Sequence, residues 1–194
     1  MGTQISGGKD RGRRLYSISA DIRPTSQKLR LAIFSILKGL IEPSRVLDLY
    51  AGSGAFGLEA LSRGAAHADF VEVNSRLCKI IDMNIKLLGY QDRAKVIKAK
   101  VEKSFDTLLK EYKDNFGGHD GGYDLVFLDP PYKKNPWEEV LGNPIWDVLM
   151  KPSGVLIAEH SAGTALKENY NNLISRQNRQ YGDSSITIFG LSAN

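Results

Sequence analysis

Apolar, strand-like runs alternate with helix-forming stretches through most of this chain of 194 residues. Five such runs lie along the sequence, at 45–50, 68–73, 94–100, 123–129 and 154–161. Consecutive parallel strands need a crossover between them, usually a helix, and this alternation supplies one each time. The pattern therefore predicts an α/β fold with a mainly parallel sheet and helices on both faces.

The end of the chain is expected to be antiparallel. Two strand-like runs flank Gly182-Asp183, a dipeptide that favours a tight hairpin turn. Before it, helical spacing predicts helices at 75–88, 103–112 and 137–149, and a weaker one at 166–171. We therefore expect a seven-stranded sheet with a C-terminal antiparallel hairpin.

Composition excludes several classes of protein. Hydrophobic residues make up 42% and charged residues 25% of the chain, as in a globular domain with a full core. No apolar run approaches the roughly 20 residues of a membrane-spanning helix, and the N-terminus lacks the apolar segment of a signal peptide. Cys78 is the single cysteine, which fits a reducing compartment. We expect a cytoplasmic protein without a membrane partner, and a monomer, because no interface signature is evident.

The basic charge is concentrated at the N-terminus. The net charge is +4, whereas residues 1–30 alone hold seven bases against Asp10 and Asp21. Such an asymmetry is typical of a protein that binds a polyanion, although a bland basic tail would look the same. Glycines among the bases indicate an arm or a short hairpin, which favours nucleic-acid contact.

A glycine-rich stretch, DLYAGSGAFG, follows the first strand and opens a helix. Gly52, Gly54 and Gly57 fit the pattern G-x-G-x-x-G, and Glu72 ends the next strand twenty residues after Gly52. Glycines let the backbone pass close to a ligand, and Glu72 is placed to accept hydrogen bonds from two ribose hydroxyls. The pattern predicts a nucleotide-like cofactor, and a dinucleotide dehydrogenase would look the same this far.

Asp48 lies inside the first apolar strand, just before the glycine loop. A carboxylate in such a position must be paired or bound to something cationic. It would repel a pyrophosphate, whereas it would attract a sulfonium or an amino-acid ammonium. Asp48 therefore favours a cationic cofactor over a dinucleotide.

The fourth strand ends in the sequence Asp129, Pro130, Pro131, Tyr132. Prolines remove backbone donors and fix φ, so a central strand cannot continue through them. A stiff turn would explain the prolines alone. The carboxyl edge of an open α/β sheet is, however, where ligands bind, and there this tetrapeptide would offer an acid, bare carbonyls and a stacking ring. Hydride transfer has no use for such a set.

The motifs DLYAGSGAFGLEALSRGA, VEVN and DLVFLDPPY resemble those of class I S-adenosylmethionine methyltransferases that act on exocyclic amino groups. Three more segments, ISGGKDRGRRL, RPTSQKLRLAIFSIL and RQYGDSSITIF, resemble the bacterial 16S ribosomal RNA guanine-N2 methyltransferase family, small-subunit methyltransferase D. The similarity runs from about Ile5 to Phe189. It implies a Rossmann-like fold, with a basic N-terminal arm or hairpin (1–22) followed by a methyltransferase domain (23–194). It also implies S-adenosylmethionine as the cofactor, and 16S ribosomal RNA or the 30S subunit as the substrate.

The resemblance also assigns roles to individual residues. The catalytic residues would be Asp129 and Pro130, which each accept one hydrogen of the guanine amine, and Tyr132, which stacks on the extruded base. Contacts with the cofactor fall on Asp48, Ala51, Gly52, Ser53, Gly54, Glu72, Val73, Lys100 and Val101. Contacts with the RNA are expected at Lys9, Arg11, Arg13, Arg14, Arg23 and Thr25.

Three other functions remain open from the residues. A DNA adenine-N6 methyltransferase would use the same tetrapeptide, but such enzymes commonly add a target-recognition domain for which this chain has no obvious room. A nicotinamide-dependent dehydrogenase would share the glycine pattern. A catalytically silent RNA-binding module would not need both motifs intact. No metal is expected, because His67, His119 and His160 lack the spacing of metal ligands.

Overall fold

The computed structural model describes residues 3–18, 27–116, 122–131 and 135–192 of the chain. The chain divides into two compact units, Met1–Lys100 and Val101–Asn194. The boundary expected between residues 22 and 23 lies outside the described residues, so that division of the chain stays a prediction.

Three parallel strands form the sheet of the first unit. They are β1 (Arg45–Leu49), β2 (His67–Glu72) and β3 (Ala94–Lys98), in the order β3-β2-β1. β1 and β2 are buried along almost their whole length, which is why the sequence shows continuous apolar runs there instead of alternation. Asp48 therefore lies in a buried strand, in register with Phe70 of β2.

Helices connect the strands of the first unit. They are α1 (Gln27–Ile36), α2 (Ala55–Ser62) and α3 (Ser75–Leu88), followed by a 3-10 turn at Gln91–Arg93. α2 packs on β1 and β2, and α3 packs on β2 and β3. The Asn74 side chain caps α3 by accepting a hydrogen bond from the Arg76 backbone at 2.8 Å, and Gly89 ends the helix with φ of 72°.

Residues 3–15 form an N-terminal hairpin. Gln4 and Arg14 make an antiparallel bridge, and the Ile5 amide donates to the Arg13 carbonyl at 3.0 Å. Ile5 and Leu15 are buried, so the hairpin has a small apolar face of its own. It is a folded part of the first unit, and its exposed residues include the bases that the sequence singled out.

The second unit contains one parallel strand pair and an antiparallel extension. Its elements are α4 (Val101–Phe116), β4 (Tyr123–Leu128), α5 (Trp137–Leu141), α6 (Trp146–Leu149), β5 (Met150–Ser161), β6 (Asn169–Tyr170), β7 (Leu173–Tyr181) and β8 (Ser184–Leu191). β4 and β5 are parallel, and the order β4-β5-β8-β7-β6 is completed by antiparallel pairs. The expected hairpin turn is present, because Tyr181 pairs with Ser184 and Gly182 has φ of 62°.

The helical predictions at the end of the chain need correction. The helix predicted at 137–149 is two short helices, α5 and α6, because Gly142 ends the first and Pro144 lies before the second. The weak helix predicted at 166–171 is wrong: residues 169–170 form β6, and the Tyr170 ring packs edge-on against Phe189. With β6, the described residues contain eight strands where seven were expected.

Among the described residues, no helix is both long and apolar enough to span a membrane.

Candidate functional site

The glycine loop connects β1 to α2 through a backbone that few side chains tolerate. Tyr50, Gly52 and Gly54 have φ values of 57°, 58° and 76°, in the left-handed region. A Cβ on Gly52 would meet no atom closer than the Tyr50 carbonyl oxygen at 4.0 Å, so glycine is favoured there by its φ and not by crowding. The loop thus reaches α2 with open space beside Gly52.

Gly57 serves a different purpose. A Cβ at this position would overlap the Phe70 ring and lie 3.3 Å from Asp48 Oδ2. Its hydrogen atom therefore allows α2 to approach β1 and β2 closely enough for its own amide to reach Asp48. The third glycine of the pattern is a packing residue, as expected of a close helix–strand contact.

Glu72 at the end of β2 organises the loop from the side. Its Oε2 accepts a hydrogen bond from the Gly52 amide at 3.0 Å, and its Oε1 accepts one from the Asn74 amide at 2.7 Å. A carboxylate has about four lone-pair sites, so each oxygen can still accept a ligand hydroxyl. The predicted contact with a ribose is compatible with this arrangement and stays a prediction.

The buried carboxyl of Asp48 accepts a hydrogen bond from the Gly57 amide, which lies 3.0 Å from Oδ2. Only 2% of the residue is exposed. Burial raises the pKa of Asp48 to about 8, opposed by the Gly57 hydrogen bond and reinforced by the nearby Glu72. Among the described residues, no Lys, Arg or His forms an ion pair with it. The carboxyl is therefore suited to a cationic ligand.

Three further residues of the first unit that are predicted to contact the cofactor, Ala51, Val73 and Lys100, follow shortly after the ends of β1, β2 and β3. Ala51 is buried, and its amide donates to the Val71 carbonyl at 3.1 Å. Val73 follows Glu72 directly and is 50% exposed, as an apolar surface for a flat ring would be. The Ala99 amide donates to the Glu72 carbonyl at 3.1 Å, which brings the segment with the exposed Lys100 to the end of β2. Val101 begins α4 and is buried.

In the second unit, Asp129 directly follows the buried strand β4 and is partly exposed. Pro130 is buried and Pro131 is exposed. The tetrapeptide thus begins at the carboxyl end of a strand, as the sequence predicts. Tyr132 lies outside the described residues, and so do Arg23, Thr25 and residues 117–121.

The basic side chains of the N-terminal hairpin are exposed, but some of them already make contacts within the protein. Arg13 Nη1 lies 3.3 Å from Asp10 Oδ1, and its Nη2 donates to the Leu87 carbonyl at 2.6 Å. The Lys9 ammonium lies 4.8 Å from the centre of the Tyr90 ring. Arg11 and Arg14 are exposed as well. Contact between these bases and RNA stays a prediction.

Sequence reasoning missed Glu59, which anchors the hairpin to α2. The fully buried carboxylate accepts hydrogen bonds from Ser6, from Arg30 Nε at 2.7 Å and from Arg63 Nη2 at 2.7 Å. Burial by itself would raise the pKa of Glu59, but these donors hold that pKa below its usual value. Arg30 is buried too, so one base of the N-terminal surplus is structural. The signal was a glutamate within the otherwise apolar stretch AFGLEALS.

Asn84 was missed as well. It is fully buried in α3, where its Oδ1 accepts from the Tyr16 amide at 2.8 Å, and its Nδ2 donates to the Tyr16 and Ser53 carbonyls, both at 3.1 Å. One side chain therefore links Tyr16 to the glycine loop. The signal was a polar residue at a core position of the helix, three residues after Ile81.

The two described histidines, His67 and His160, have polar partners within the protein. His160 is buried, its Nε2 lies 2.9 Å from Thr187 Oγ1, and burial lowers its pKa. His67 Nε2 lies 3.1 Å from Asp69 Oδ1, and His119 lies outside the described residues. Among the described residues, no cluster of three His, Cys, Asp or Glu side chains could hold a metal ion.

A protein-family model described as Conserved hypothetical protein 95 matches residues 3–190, nearly the whole chain. The chain belongs to this family. A Bacillus subtilis relative, YlbH, named as a candidate rRNA methyltransferase, is 31% identical over 186 residues, 95% of this chain and 96% of the relative. The Haemophilus influenzae "Ribosomal RNA small subunit methyltransferase D" is 30% identical over 158 residues, 80% of this chain and 77% of the relative.

A solved structure agrees with these relatives. The Escherichia coli protein yhhF, described as a candidate methyltransferase, superposes with a TM-score of 0.79 at 25% identity and covers all of both chains. The resemblance stated from the motifs is confirmed, and so are the α/β methyltransferase fold and the class of enzyme, a methyltransferase.

Proposed function

We propose that this protein transfers a methyl group from S-adenosylmethionine to the exocyclic N2 of a guanine in 16S ribosomal RNA. The buried carboxyl of Asp48, beside a glycine loop and without a cationic partner among the described residues, carries the proposal. The small-subunit relative supports the ribosomal substrate. The protein acts in the cytoplasm as a monomer, on free RNA or on the 30S particle.

The residues of the first unit fit this cofactor. A positive charge beside Asp48 favours the ionised carboxylate and pairs with it, whereas the pyrophosphate of a dinucleotide would oppose ionisation. A nicotinamide-dependent dehydrogenase is therefore disfavoured. The lone pairs of Glu72 accept the ribose hydroxyls, and exposed Val73 packs on the adenine. The loop from Ala51 to Gly54 holds the methionine part, and the backbone of Lys100, or of Val101 at the start of the second unit, meets the adenine edge. When bound, the cofactor supplies an electrophilic methyl group.

Asp129, Pro130 and Tyr132 prepare the acceptor. The lone pair of the guanine amine is delocalised into the ring, so the amine is a poor nucleophile. The Asp129 carboxylate and the Pro130 carbonyl each accept one amine hydrogen and thereby direct the lone pair, while Tyr132 stacks on the base. After alignment, methyl transfer needs mainly positioning, with the base out of its helical stack.

The substrate prediction separates guanine from adenine. With labelled S-adenosylmethionine, we expect label to enter small-subunit ribosomal RNA or 30S particles from cells that lack the gene. Nuclease digestion should yield N2-methylguanosine, because the motifs resemble those of guanine-N2 methyltransferases and the exposed bases of the hairpin suit RNA. Incorporation into duplex DNA as N6-methyladenine would instead identify a DNA adenine-N6 methyltransferase. The proposed cofactor site would be unaffected by that result.

The cofactor prediction concerns Glu72. We expect Glu72→Ala to weaken S-adenosylhomocysteine binding by roughly ten- to a hundredfold in calorimetry, because it removes charge-assisted hydrogen bonds to the ribose and to Gly52. Asp82→Ala, which removes an exposed carboxylate from α3, is the control and should bind like the wild type. Tight binding of NAD, with no detectable binding of S-adenosylhomocysteine, would instead favour the dehydrogenase hypothesis.

A further inference from the structure

Tyr16 follows the N-terminal hairpin and presents an aromatic ring to solvent. Half of the residue is exposed, at 50%, whereas Leu15 beside it is buried. The exposed ring is not on a loose segment. The Tyr16 amide donates to Asn84 Oδ1 at 2.8 Å, and Asn84 Nδ2 donates to the Tyr16 carbonyl at 3.1 Å. Both backbone polar groups of Tyr16 are thus fixed by one buried amide.

The same amide fixes Tyr16 relative to the glycine loop. Asn84 Nδ2 also donates to the Ser53 carbonyl at 3.1 Å, between Gly52 and Gly54. A fully buried Asn that is satisfied by three backbone groups is costly to move, because each broken hydrogen bond would leave a buried polar atom unpaired. The backbone that carries the ring is therefore held beside the loop with the proposed cofactor contacts.

The basic residues that precede Tyr16 indicate what kind of ligand its ring would contact. The hairpin before Tyr16 has four exposed bases, Lys9, Arg11, Arg13 and Arg14. An exposed tyrosine alone is ordinary on a protein surface. Exposed cations in a hairpin that leads directly to an exposed ring on a fixed backbone, however, match the chemistry of single-stranded nucleic-acid binding, in which bases stack on aromatic rings and cations follow the phosphates.

We propose that the Tyr16 ring is a stacking platform for an unpaired base of the RNA substrate, held in place by Asn84. The inference rests on the proposed function and deepens it, because it assigns a contact to a nucleotide other than the target guanine. Extrusion of the target base leaves neighbouring bases without a stacking partner, and a platform that is already ordered offers one at low entropic cost.

The test compares side chains of similar bulk at position 16. The probe is a short, fluorescently labelled, unstructured oligoribonucleotide that contains guanine, titrated at several salt concentrations. Tyr16→Leu should weaken binding by about tenfold or more, whereas Tyr16→Phe should bind like the wild type. In Tyr16→Trp, RNA binding should quench the fluorescence of the exposed indole. The buried Trp137 and Trp146 contribute a constant background to this signal.

Salt dependence separates stacking from phosphate contacts. Tyr16→Leu should leave the slope of log affinity against log salt unchanged, because no counterion is released by stacking. Arg11→Ala with Arg14→Ala should reduce the slope by about 1.4, at roughly 0.7 per phosphate contact on a single strand. A Tyr16→Leu protein with the wild-type affinity for RNA would overturn the platform.

Cofactor binding distinguishes the remaining outcomes. S-adenosylhomocysteine affinity should be the same in wild type and Tyr16→Leu; a parallel loss of both ligands would mean a disturbed glycine loop and would overturn the stacking role. If the wild type binds no RNA and labels none, the proposed substrate fails and the platform fails with it. If the wild type methylates RNA and Tyr16→Leu binds it equally well, only the platform fails.

Discussion

Replacement of Asp129 by alanine is expected to slow methyl transfer by about a thousandfold while leaving the fold and the cofactor affinity nearly unchanged. The magnitude is that of removing one well-placed hydrogen-bonding group from a preorganised site. Asp129 lies after the end of β4 and is partly exposed, so its loss creates no cavity in the core. The measurement is single-turnover transfer of label to RNA, beside calorimetry with S-adenosylhomocysteine.

Two variants sharpen this experiment. Asp129→Asn keeps an acceptor oxygen without the charge and should fall between alanine and wild type, because charge-assisted hydrogen bonds are roughly twice as strong as neutral ones. Asp124→Asn is the matched control: it alters a carboxylate of the same strand that pairs with Lys151 at 2.8 Å, and should keep its activity. Near-wild-type turnover in Asp129→Ala would refute the assigned role.

The parallel strands were predictable because their signal is local. A strand buried on both faces is apolar along most of its length, and the runs predicted at 45–50 and 123–129 correspond to strands at Arg45–Leu49 and Tyr123–Leu128. The hairpin turn at Gly182 was predictable because its signal is also local, the dipeptide Gly182-Asp183. The helix predicted at 166–171 failed because its apolar residues pack in the antiparallel extension, where tertiary contact overrides a weak helical pattern.

The polar residues of the site also differ in whether a local sequence pattern could reveal them. Asp48 and Glu72 could be predicted because each stands at a fixed offset from the glycine pattern within one strand–loop–helix unit. The pairing of Glu59 with Ser6 and Arg30, and that of Asn84 with Tyr16, join residues far apart in the sequence. No local spacing encodes these contacts, so sequence reasoning assigned Arg30 to a basic surplus and gave Tyr16 no role.

The buried carboxyl of Asp48 should make the free protein less stable as the pH rises. Its pKa is about 8 in the folded protein, against an ordinary value of 3.8, mainly because of burial. Between these values the folded chain keeps a proton that the unfolded chain releases. The free energy of unfolding should therefore lose about 1.4 kcal/mol per pH unit from this group.

Asp48→Asn removes this dependence, so urea unfolding of wild type and variant should diverge with pH. The stability of the wild type relative to the variant should fall by roughly 3 to 4 kcal/mol between pH 5 and pH 8. A saturating cationic cofactor pairs with the ionised carboxylate. S-adenosylmethionine should therefore stabilise the wild type increasingly as the pH rises, and should stabilise Asp48→Asn less, without this trend. Parallel pH profiles for the two free proteins would show that Asp48 does not hold its proton when folded, and would contradict the coupling between deprotonation of Asp48 and cofactor binding.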